Sequence, residues 1–84
     1  LMVLNLYVNQ LTSVAAEIGQ LTSLTQLYLG DNKLTSLPAE IGRLTSLSEL
    51  DLRWNLLTSV SAAIRELRAA DCQVHLDDDV TVDE

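Results

Sequence analysis

The chain repeats itself every 23 residues, and no other feature restricts its fold so tightly. Residues 21–43 read LTSLTQLYLGDNKLTSLPAEIGR, and residues 44–66 read LTSLSELDLRWNLLTSVSAAIRE, matching slot for slot. Residues 1–20, LMVLNLYVNQLTSVAAEIGQ, fall into the same register with the first three slots missing. Leu4, Leu27 and Leu50 share one slot, and Leu6, Leu29 and Leu52 share another. Asn9, Asn32 and Asn55 recur together, as do Ile18, Ile41 and Ile64. A unit this short cannot bury its own apolar side, so neighbouring units must stack and share one interior.

Within a unit the local signals are ordered. Apolar and polar residues alternate around Leu27 and Leu29, the period of a strand with one buried face. Gln26, Tyr28 and Gly30 then point the other way. Gly30-Asp31-Asn32 supplies turn chemistry, and Leu34 and Leu37 bury the return leg. Pro38 to Gly42 reads as one helical turn, with Pro38 at its first position and Gly42 at its exit. In the third unit Ser61 and Arg65 replace Pro38 and Gly42, which predicts a true helix over 62–70 with Ser61 as its N-cap. Cys72, Val74 and Leu76 then alternate with Gln73, His75 and Asp77, a fourth strand one residue out of strict period. The leucines stop at Asp77-Asp78-Asp79, which predicts a polar end to the stack.

Written as LxxLxLxxNxL, with LPAEIG closing the second unit, the pattern resembles the leucine-rich repeat. It is similar to the 23-residue intracellular class that includes Ras-signalling scaffold proteins. The resemblance implies an α/β fold: a right-handed solenoid, or short horseshoe, with a parallel concave sheet and short helical or irregular convex segments. It implies three repeats over residues 1–66 (1–20, 21–43 and 44–66), then a C-terminal cap over 67–84 with an acidic tail. It also implies that Asn9, Asn32 and Asn55 form an inward structural ladder, satisfying backbone groups that lack strand partners. The implied function is a non-enzymatic interaction module or scaffold, binding a protein partner such as a small GTPase on its concave face.

Charge narrows the partners. The net charge is −7, yet six of the twelve acids lie in residues 71–84, where there is no Lys or Arg. A nearly neutral body with an acidic tail is poorly suited to nucleic acid or anionic membrane, which need clustered bases. The single Cys72 allows no internal disulfide. With no glycosylation sequon, leader or membrane-length apolar run, a cytoplasmic location is expected. The chain opens in mid-repeat at Leu1. Leu4, Leu6, Leu11, Val14 and Ile18 are therefore expected to pair in a homodimer, or to be covered by a longer array.

Aligning the outward slots gives four rows. They are Val3, Gln26, Glu49, Gln73; then Asn5, Tyr28, Asp51, His75; then Tyr7, Gly30, Arg53, Asp77; then Val8, Asp31, Trp54, Asp78. From these rows the expected partner-binding residues are Tyr7, Gln26, Tyr28, Asp31, Glu49, Asp51, Arg53, Trp54 and His75, with Trp54 beside Arg53 as the anchor. Catalysis is not expected. His75 is the lone histidine, the Thr-Ser pairs recur as framework, and Glu49 and Asp51 sit on an open face that would not raise a carboxyl pKa. No metal or cofactor is expected, because Cys72 and His75 point to opposite faces of a strand.

Overall fold

A computed structural model describes residues 2–60 and 62–82. Strands β1 (Met2–Asn5), β2 (Leu24–Tyr28), β3 (Glu49–Asp51) and β5 (Gln73–His75) form one parallel sheet in the order β1-β2-β3-β5. Single 3-10 turns, Ala16–Gln20 and Ala39–Arg43, link the first three strands, and helix α1 (Ala63–Ala69) leads into β5. Two-residue strands β4 (Ser59–Val60) and β6 (Thr81–Val82) pair in a second parallel ladder.

The register follows the repeat. Gln26 lies opposite Val3 and Glu49, and Glu49 opposite Gln73. Tyr28 lies between Asn5 and Asp51, and Asp51 opposite His75. From Val3 to β3 partners are 23 residues apart, after an irregularity at Met2, and they are 24 apart from β3 to β5, the one-residue slip legible in the sequence. The ladder runs past the strand ends, where Leu6, Leu29 and Leu52 donate their amides to Tyr28, Asp51 and His75 at 2.8, 2.8 and 2.9 Å.

Period-two alternation sends Leu27, Leu29, Leu50 and Leu52 to one side, where Leu24, Leu34, Ile41, Leu44, Ile64 and Leu67 close the interior. Each such burial is worth about 1.5–3 kcal/mol. Leu4, Leu6, Leu11, Val14 and Ile18 pack on this core but stay half-buried, because no described residues flank the first repeat on its outer side.

Several local expectations need correction. Pro38 is extended (ψ 146°) and precedes its turn instead of starting it. Gly42 lies inside that turn, where a Cβ would stand 3.2 Å from the Ala63 Cβ. At the same slot a Cβ on Gly19 would stand 2.8 Å from the Glu40 carbonyl oxygen. Glycine here permits close stacking of successive helical segments; it does not end them. Arg65 fills the slot in α1 and is exposed. Helix α1 starts at Ala63, its capping residue Ala62 makes no side-chain bond, and Ser61 lies outside the described residues. Nor does the apolar stack stop at the aspartates. Leu76 and Val80 pack on the core, and the Thr81 amide reaches the Thr58 carbonyl at 3.1 Å.

Candidate functional site

The asparagine slot shows how each repeat holds its neighbour. Asn32 is 6% exposed. Its Oδ1 accepts from the Leu11 amide at 3.2 Å, and its Nδ2 donates to the carbonyls of Leu6, Leu29 and Gly30 at 3.0, 2.9 and 3.2 Å. Asn55 repeats the pattern with Leu34, Leu29, Leu52 and Arg53. Asn9 breaks it: the residue is exposed and reaches only Leu6 and Tyr7 of its own turn. The inward reading fails for Asn9, which no described residue encloses on its outer side.

The sheet face free of helices carries two bonded chains of side chains. In the first, the Tyr28 hydroxyl donates to Glu49 Oε1 at 2.6 Å, and His75 Nε2 lies 3.1 Å from Glu49 Oε2. In the second, the Tyr7 hydroxyl donates to Asp51, whose carboxylate also accepts from Arg53 Nε at 3.1 Å and Nη2 at 2.8 Å. Arg53 lies over the Trp54 ring at 5.2 Å, and the Tyr7 and Tyr28 rings stack with centroids 5.5 Å apart. Tyr7 belongs to the first repeat and Asp51 to the third, so the tyrosine must cross the second. It crosses at Gly30, where a Cβ would come within 2.9 Å of Tyr7 Cδ1. Arg53 occupies the Gly30 slot one repeat on, and turns back to Asp51.

These contacts set the electrostatics. Burial pushes the Asp51 carboxyl up, but bonds from the Arg53 side chain, Tyr7 and the Arg53 amide outweigh it and hold the pKa at about 2. The hydrogen bonds from Tyr28 and His75 hold Glu49 below the usual carboxylate range. The same bonds raise Tyr7 and Tyr28, which donate to carboxylates, and Asp51 raises Arg53. A general acid needs a raised carboxyl, and both carboxyls here move the other way.

Of the nine expected partner-binding residues, Trp54 and Asp31 are exposed. Tyr7, Gln26, Tyr28, Glu49, Arg53 and His75 are half-buried on the shared face. Asp51 is 2% exposed, so its assignment as a partner contact is corrected: it is the anion that ties Tyr7 to Arg53. Sequence reasoning also missed Gly30 as the gap beneath Tyr7, and missed Leu56, which is 60% exposed. Leu56 aligns with Gln10 and Lys33, polar in both other repeats, a signal that could have found it.

Cys72 is buried, and desolvation raises its thiol pKa. Among the described residues no three His, Cys, Asp or Glu side chains converge to hold a metal, and no helix is long and apolar enough to cross a membrane.

No curated protein matches the chain. A family model described as leucine rich repeat matches residues 1–68. That match spans the three asparagine-bearing turns and the strands they join, and the chain belongs to the leucine-rich repeat family.

Proposed function

We propose that the chain is a protein-interaction module. Leucine-rich repeats generally mediate protein–protein interaction and are typically non-enzymatic, and this chain follows the family in both respects. Its stacked repeats form a right-handed solenoid, residues 1–66 being three repeats and 67–84 a C-terminal cap. It acts as a cytoplasmic scaffold without cofactor, nucleic acid or membrane partner. The parallel sheet is the concave face that meets a protein partner through Tyr7, Gln26, Tyr28, Asp31, Glu49, Arg53, Trp54 and His75. The observation that carries this reading is Trp54, 62% exposed beside Arg53, while the strand leucines Leu27, Leu29, Leu50 and Leu52 are turned inward. Tryptophan and arginine dominate binding hot spots, and the surrounding bonds hold the face in one arrangement before any partner arrives. Affinity capture on the immobilised chain should recover a partner that is lost with Trp54→Asn or Gln26→Arg. Equal recovery by both variants would refute the placement.

A second reading rests on the first repeat. Leu4, Leu6, Leu11, Val14 and Ile18 are half-buried, β1 is an edge strand, and Met2 and Val3 are 43% and 48% exposed. A shallow cleft of about 420 Å³ opens there between Val14, Ile18 and Leu21. Two copies meeting on this face as a homodimer would remove its apolar surface from water. Sedimentation should then show a dimer that Leu11→Lys dissociates. A monomer at high concentration would remove this reading.

A further inference from the structure

The turns that follow β1, β2 and β3 each present one residue in the left-handed region: Val8 (φ 56°), Asp31 (φ 57°) and Trp54 (φ 61°). Asparagine, aspartate and glycine suit that conformation, whereas β-branched and bulky side chains resist it. Asp31 is therefore explained by the fold, and Val8 and Trp54 are not. Both are also strongly exposed, at 73% and 62%. Leu56, two residues beyond Trp54, is 60% exposed at a slot that holds Gln10 and Lys33 in the other repeats. The three apolar residues share one rim, laddered by the bonds Val8 N–H to Gly30, Asp31 N–H to Arg53, and Leu56 N–H to Leu34.

The rim's charges are unbalanced. Arg53 is committed to Asp51 at 2.8 Å, leaving Lys33 as the other base. Against it stand the exposed Asp31, Asp78 and Asp79, and Asp77, whose carboxylate accepts the Trp54 amide at 2.9 and 3.1 Å. That last bond fixes the acidic turn of residues 77–79 directly against Trp54. An apolar knob thus stands against an acidic turn.

We infer that this rim, made of Val8, Trp54 and Leu56 with Asp31, Asp78 and Asp79, docks a protein segment carrying an apolar anchor flanked by Lys or Arg. Apolar contact with Trp54 and Leu56 supplies the anchor site, and the carboxylates select the flanking bases and repel acidic segments. The inference rests on the interaction-module reading and moves its centre from the sheet face to the turn edge.

A displayed library of random twelve-residue peptides, panned against the full chain, tests it. The expected selection is an apolar residue between basic ones, with affinity falling as salt rises. Trp54→Asn keeps a side chain suited to the left-handed backbone, and should weaken the selected peptides about tenfold or more. Leu56→Ser and the pair Asp78→Asn/Asp79→Asn should weaken them too, while Arg65→Gln on the exposed side of α1 should leave them bound. Peptides lost with Gln26→Arg but retained by Trp54→Asn would overturn the rim and leave the interaction-module reading standing. Selection of acidic or purely apolar peptides, or of none, would also overturn the rim. The broader reading falls only if affinity capture on the whole chain also fails.

Discussion

Replacing the asparagine of each repeat by alanine should have unequal costs, set by how many repeats enclose it. Asn32→Ala removes four bonds, but not all leave an orphan. The Leu6 carbonyl keeps Asn9, the Leu29 carbonyl keeps Asn55, and the Gly30 carbonyl keeps the Val8 amide. The Leu11 amide loses its partner outright. One part-buried orphan donor costs about 1–3 kcal/mol, and losing the tightly placed amide adds to it, so we expect ~2–3 kcal/mol. Asn55→Ala orphans the Leu34 amide in the same way and should cost ~2 kcal/mol. Asn9→Ala loses two bonds at an exposed site that water can replace, and should cost no more than ~0.5 kcal/mol. For a chain of this size the first value lowers the midpoint of thermal unfolding by roughly 10–20 °C, easily read by circular dichroism. Equal losses at Asn9 and Asn32 would refute the bridging argument, as would a negligible loss at Asn32.

Two further outcomes test the sheet face. Asp51 titrates at about 2 when folded and near 4 when unfolded, so its contribution is complete above about pH 4 and is lost as pH falls towards 2. Acid titration of stability should show a loss on the order of 1–2 kcal/mol across that window, reduced because Arg53 is partly in water, and Asp51→Asn should flatten it. An unchanged slope in the variant would assign the acid sensitivity elsewhere. Gly30→Ala should push the Tyr7 ring off Asp51 and cost ~1–3 kcal/mol by chemical denaturation. Added to Tyr7→Ala it should cost much less, since the obstructed ring is gone; additive losses would exclude the crossing as the cause.

The repeat alone determined the shared interior and the strand register. A 23-residue period with leucine on fixed slots has one way to bury them, and the rows Val3–Gln26–Glu49–Gln73 and Asn5–Tyr28–Asp51–His75 follow from it. Slots in a sequence carry no information about what lies above them, which is where tertiary structure took over. Asp51 occupies an outward slot yet is buried, because Tyr7 reaches over Gly30 from two strands away and Arg53 folds back. Asn9 has the right letter, but no described residue encloses it on its outer side, so it is exposed. Gly42 signals a helix end to local reasoning, and only the approach of Ala63 reveals it as a packing position. Inward or outward is decided by the chain's own periodicity, whereas exposure is decided by neighbours more than twenty residues distant, whose side-chain lengths and charges no single repeat contains.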